Sequence, residues 1–230
     1  MSRRSSAEAQ INRADSLLPT IESEYQNSLS KKSIDDNLKL DIQSFCGHLR
    51  SALDYIAKDI VETHCPNANP RNRLYFPITH DAQSFSNTMK RFYPDLNHNC
   101  HELYDILESV QPYQDNKNLW LKNFNKVNNE NKHNDLVEQI RTETKWVDVQ
   151  TQGGNRVNWN PANVKFESVK IGGVPVNPQT QMPVPSTTQK VTIETWVDFR
   201  FDDIDVSALA LLKESLTRTK SISTDAYKYI

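Results

Sequence analysis

The chain has 230 residues, with 27 Lys and Arg against 29 Asp and Glu for a formal charge of −2, and 37% of its residues are apolar. That length supports one large domain or two small ones, with a core that needs neither disulfides nor metals. Near-neutrality excludes a global electrostatic drive toward nucleic acid and leaves room only for a local basic patch.

Residues 6–29 predict a helix, with Ile11, Ala14, Leu17, Leu18, Ile21 and Tyr25 at helical spacing and Pro19 expected to kink or split it. From 33 to 63, Leu38, Ile42, Phe45, Leu49, Leu53, Ile56 and Ile60 form one apolar stripe, with Ser33 or Asp35 as the cap. CPNANPRNR (65–73) reads as a loop and LYFPI (74–78) as a short extended stretch. Asp81 is placed to cap a helix carrying Phe85, Met89 and Phe92 that stops at Pro94. Another helix holds Leu103, Ile106, Leu107 and Val110 and stops at Pro112, and a further one runs from 118 to 140.

The period then changes. Trp146, Val147 and Val149 predict a strand, and 163–171 a second, followed by a Gly172-Gly173 hairpin turn. Residues 174–189, rich in Pro, Gln and Thr, read as a long exposed loop. KVTIETWVDFRF (190–201) alternates, with Val191, Ile193, Thr195, Val197, Phe199 and Phe201 on one face, as a half-buried antiparallel strand does. A last helix follows, capped by Asp203 or Asp205, striped by Val206, Leu209, Leu212 and Leu216, and frayed beyond about 222. The fold class is therefore mainly α (α+β), a helical bundle with a small antiparallel sheet of three strands inserted before the last helix. It reads as a single domain, 1–230, with bundle 6–140, β insertion 144–201 and final helix 205–222.

Cys46, Cys65 and Cys100 show no CxxC spacing, which argues against a disulfide framework and a cysteine-rich zinc site and points to reduced thiols in the cytoplasm. No apolar run suits a signal peptide or a membrane span, so no membrane partner is expected.

The polar run NNENKHNDL (128–136) interrupts an apolar helix pattern. On a helical wheel Asn128 and Asn131 fall in the arc of Trp120, Leu121, Phe124 and Val127, while His133 falls with Leu136, Val137 and Ile140. These polar groups sit beside buried surface, where each needs a hydrogen-bond partner. They form either a structural network or a site in which His133 exchanges protons near neutral pH and Lys132 contacts a phosphate. His98, Cys100, His101 and Glu102, with His64 and Cys65 brought in by folding, would be the alternative of a metal site; a polar helix start is the simpler reading, and neither metal nor cofactor is expected. Tyr75, Tyr113, Trp159 and Trp196 could stack on bases, and Arg71, Arg73, Lys90 and Arg91 could form a local basic patch. Arg50 and Asp54 are spaced for a helical ion pair, or Arg50 reaches toward His133.

Taken in order, HLRSALDYIAKDI (48–60), LYFPI (74–78), VQPYQ (110–114) and NNENKHNDL resemble a widespread group of bacterial helical proteins, itself similar to HEPN domains (higher eukaryotes and prokaryotes nucleotide-binding). The resemblance covers roughly 36–140. It implies a helical bundle, commonly a homodimer, and a metal-independent ribonuclease or RNA-binding protein of a defence or toxin type. In that family an R-x4-6-H motif activates the RNA 2′-hydroxyl and steadies the phosphate. Here Asn128-x4-His133 takes the spacing without the arginine. The implied catalytic residues are His133, Asn128, Lys132 and Asn131, with Arg50 and Tyr113 binding substrate. The other expectation is a protein-interaction module in which 128–135 is a structural network.

Overall fold

The computed structural model describes residues 3–31, 35–133, 139–201, 204 and 206–230; of these, the side chains at 29–31, 130–133, 139–144, 194–197 and 199 lie outside the description. The chain forms two compact units, Met1–Ile140 with Arg200–Ile230, and Arg141–Phe199. The first is helical, the second is built of short antiparallel strands, and the protein is mainly α.

Helix α1 (Arg3–Lys31) and helix α2 (Asp36–His64) run antiparallel, since Arg3 at the start of α1 pairs with Asp59 and Glu62 near the end of α2. Every residue of the α2 stripe from Leu38 to Ile60 is buried, and the Asp35 side chain accepts the Asn37 N–H to start the helix. Ser33 lies outside the described residues. Pro19 does not split α1, contrary to expectation. Its ring faces solvent, while Ala14 and Ile21 are buried on either side of it. Packing of both halves on one surface offsets a proline cost of about 3 kcal/mol.

Asp81 caps helix α3 (Ala82–Phe92) by accepting the Ser84 N–H at 2.6 Å. Helices α4 (Leu96–Asn99) and α5 (His101–Ser109) and a 3-10 turn (Asn116–Asn118) lead into helix α6 (Leu119–His133). The expected helix to 140 ends at His133, and strand β1 begins at Gln139. Helix α7 (Ala208–Ala226) packs on α1, α2 and α6. Its cap is Ser207, whose hydroxyl accepts the Ala210 N–H, rather than Asp203 or Asp205, which lie outside the described residues. The expected fraying beyond 222 is replaced by helix, because Ile222 and Ala226 are buried.

The strands are β1 (Gln139–Thr151), β2 (Arg156–Trp159), β3 (Lys170–Ile171), β4 (Val174–Asn177), β5 (Met182–Pro183), β6 (Gln189–Phe201) and β7 (Val206–Ser207). They form a four-stranded sheet, β2-β1-β6-β7, and a three-stranded one, β3-β4-β5, in place of the three strands expected. β1 and β2 pair antiparallel with Val147 opposite Trp159. Val147, Val149, Trp159, Ile171 and Val176 make the core of the second unit, with Val164, Phe166, Val169, Met182 and Val191 against it. Of the strand expected over 163–171 only Lys170–Ile171 pairs; the rest packs on the core without a ladder.

The expected loop 174–189 contains β4 and β5. Gln181 organises it: its carbonyl accepts the Trp159 Nε1–H at 2.9 Å and its side-chain oxygen accepts the Phe166 N–H at 2.7 Å. Ile193, assigned by alternation to the buried face of β6, is exposed.

Candidate functional site

Residues 74–79 lie in no helix and no sheet, so their main-chain groups must find other partners. Side chains from three places supply them. Asp54 on α2 accepts the Phe76 N–H at 2.9 Å, and the Tyr93 hydroxyl donates to the Tyr75 carbonyl at 2.8 Å. The Gln111 amide donates to the carbonyls of Pro77 (3.0 Å) and Leu107 (2.8 Å), while its oxygen accepts from Thr79 N–H (2.9 Å) and Thr79 Oγ1 (3.0 Å). Asn118 in turn donates to the carbonyls of Ser109 and Gln111. Gln111 is fully buried, as are Phe76 and Tyr93. Burial first, then the charge of Asp54, pushes the Tyr93 hydroxyl well above its ordinary range, so it stays a donor. LRSALD, LYFPI and VQPYQ are therefore three parts of one clamp.

Arg50 completes it. Its Nη2 lies 3.2 Å from Asp54 Oδ1, its Nε donates to Asp54 Oδ2 at 3.3 Å, and its Nη1 donates to Asn125 Oδ1 at 3.3 Å. Its Nη2 also reaches the Phe76 carbonyl at 3.5 Å, and its guanidinium lies 5.8 Å from the centroid of the Tyr75 ring. The Arg50 side chain is only 11% exposed.

This constellation borders a cleft of about 570 Å³ lined by Arg50, Arg73, Tyr75, Thr88, Asn125 and Asn129. Two guanidiniums, two amides and an aromatic ring that is 55% exposed suit an anion bearing a planar group.

The residues singled out from sequence are distributed as follows. Arg50 is in the cleft, as a floor group already tied to Asp54 and Asn125. Asn128 is not: it is 2% exposed within the bundle, and its amide nitrogen has no partner among the described residues. Asn129, its neighbour, lines the cleft instead. Asn131, Lys132 and His133 close α6, and their side chains lie outside the described residues. Helical register places position 133 one turn beyond Asn129 and two beyond Asn125. Tyr113 is in a different cluster, donating to Glu108 Oε1 at 3.1 Å and packing beside Phe85. Burial, then the Glu108 charge, pushes its hydroxyl up to about 12. Trp159 is buried in the second unit, and the Trp196 side chain lies outside the described residues.

His101 is exposed, hydrogen-bonds Asn97 at 2.6 Å and lies 3.4 Å from Asp105, while His64 binds the Tyr229 carbonyl at 2.9 Å. Among the described residues no group of three or more His, Cys, Asp or Glu is arranged to hold a metal, and no helix is long and apolar enough to cross a membrane. Asn125 escapes the sequence reading because it precedes the polar run, and Asn129 because the helical wheel favours its neighbours Asn128 and Asn131. The signal that finds them is their four-residue spacing on α6, one turn apart, leading to position 133. No family profile, curated protein or solved structure matches the chain.

Proposed function

We propose that the helical unit is a HEPN-like bundle that binds RNA in the cleft beside residues 74–79 and cleaves it without metal. The observation that carries this reading is the Arg50–Asn125 hydrogen bond, which brings a guanidinium from α2 onto the helical ridge that leads through Asn129 to position 133. Arg50 thereby supplies a cation two helical turns, about 12 Å, short of position 133, where it holds the phosphate of a neighbouring nucleotide.

In this reading His133 accepts the proton of a 2′-hydroxyl. The freed oxygen attacks the adjacent phosphorus, and the 5′-oxygen departs with a proton, leaving a cyclic phosphate. Lys132 contacts the scissile phosphate and Asn131 holds the histidine. Arg50 and Arg73 hold the neighbouring phosphate, and Asn129 replaces Asn128 as the amide that orients the strand. The family resemblance adds a homodimer and a defence or toxin role, read out by light scattering and by growth arrest on expression.

A second reading has its own support: every bond of Arg50 is made inside the fold, to Asp54, Asn125 and Phe76. The clamp would then be structural, in a non-catalytic interaction module. Wild type, His133→Ala and Arg73→Ala are incubated with labelled RNA in EDTA. Cleavage lowered at least about 100-fold by His133→Ala supports the enzyme. Binding without cleavage, weakened by Arg73→Ala, supports an RNA-binding module. Absence of both supports the structural reading.

A further inference from the structure

Behind the first cleft lies a second, of about 670 Å³, lined by Arg3, Lys58 and Leu74 and sharing Arg73, Tyr75 and Phe92 with the first. The shared residues are a ridge. Arg73 and Tyr75 are exposed on it, while Phe76 is buried. Arg50, Asp54 and Lys58 follow at four-residue steps along α2, which puts the Lys58 position about 12 Å from that of Arg50 along the helix axis. That is beyond the reach of a single nucleotide. Both clefts carry cations, with Arg73 standing between them.

We infer that the two clefts form one track for single-stranded RNA, the Arg50 arm holding one phosphate and the Lys58 arm holding phosphates further along the strand. This rests on the RNA reading above and adds the length and strandedness of the substrate. Tyr75 decides strandedness: a 55% exposed ring on a ridge stacks on a base only when that base is unpaired. The Lys58 arm decides length. Arg3 is already engaged by Asp59 and Glu62, so the exposed Lys58 is the side chain that a strand leaving the Arg50 arm meets.

The test is fluorescence anisotropy with a dinucleotide, a 12-residue oligouridylate and a 12-base-pair duplex RNA, all 2′-O-methylated so that they are bound but not cleaved, using wild type, Lys58→Ala, Lys58→Glu and Tyr75→Leu. Melting curves confirm that each variant is folded; position 58 is exposed on a helix, which tolerates Ala and Glu. Lys58→Ala should weaken the 12-mer about fivefold, and Lys58→Glu more, with the dinucleotide unchanged and the salt dependence reduced by about one contact. Tyr75→Leu should weaken both single-stranded probes about tenfold, and the duplex should bind more weakly than the 12-mer. If wild type binds RNA and Lys58→Glu binds the 12-mer as well as wild type does, the track is wrong and the single cleft stands. Equal binding of duplex and 12-mer, or equal competition by polyglutamate, overturns the occupant. Failure of wild type to bind any RNA overturns both this inference and the reading beneath it.

Discussion

Gln111 makes four hydrogen bonds from a side chain with no exposed surface. Gln111→Leu keeps the volume but strands Thr79 N–H and two carbonyls away from water. It should lower stability by about 2–4 kcal/mol in urea unfolding of the helical unit. Tyr93→Phe removes one donor from the Tyr75 carbonyl and should cost about 1 kcal/mol by the same measurement. His48 offers a pH prediction. Its ring meets Gln10 Oε1 at 2.6 Å, and desolvation first, then Arg13, lowers its value from the ordinary 6.5. The folded state thus favours the neutral ring. Its contribution is complete above 6.5 and shrinks as pH falls below it, because the unfolded chain takes the proton first. Between pH 7.5 and 5.5 the wild-type Tm should therefore drop further than that of His48→Gln. The residue scale is where sequence is least legible: the spacing of VQPYQ does not reveal that its Gln spans to a backbone carbonyl 34 positions earlier.

At the scale of elements, α2 was legible because one uninterrupted 3.6-residue period covers it and every stripe position is buried. The end of α6 was not, because Ile140 continues an apolar helical period although it stands in strand β1. Composition also concealed β4 and β5: strands this short carry no period, and Pro and Gln dominate them and the turns they flank. What the sequence did mark is the turn from β3 into β4. Gly172 (φ 55°) and Gly173 (φ 86°) join Ile171 to its partner Val174, and both conformations disfavour a side chain. A methyl at Gly172 would also sit 2.6 Å from Thr151 Cγ2, whereas one at Gly173 meets open space. Gly173→Ala should destabilise the second unit by about 1–2 kcal/mol, and Gly172→Ala by more, as read from thermal melts.

For the whole molecule, the start of α1 and the segment after α7 are tied to each other through α2. The Tyr227 hydroxyl donates to Asp59 at 2.8 Å, the same carboxylate that holds Arg3, and Arg4 lies 5.1 Å from the Tyr227 ring centroid. Truncation after Ser223 removes this junction and the buried Ala226, and should lower the Tm of the helical unit by several degrees. The clefts belong wholly to that unit, being lined by residues between Arg3 and Asn129. The chain leaves it through β1 and returns through β6, which are neighbours in one sheet. Replacing 141–199 by a short Gly/Ser turn should accordingly leave helical circular dichroism and RNA binding in place, as checked by the anisotropy assay.

The part of the wall that hangs from the Gln111 amide, Pro77 to Thr79, carries no net charge at its anchor. Acid cannot protonate it away within the range proteins tolerate, and dissolved ions do not shield it. The Arg50–Asp54 contact beside it is electrostatic, and dissolved salt weakens it. Raising the electrolyte concentration should thus loosen the grip on any anionic guest long before the mouth that receives it loses its shape.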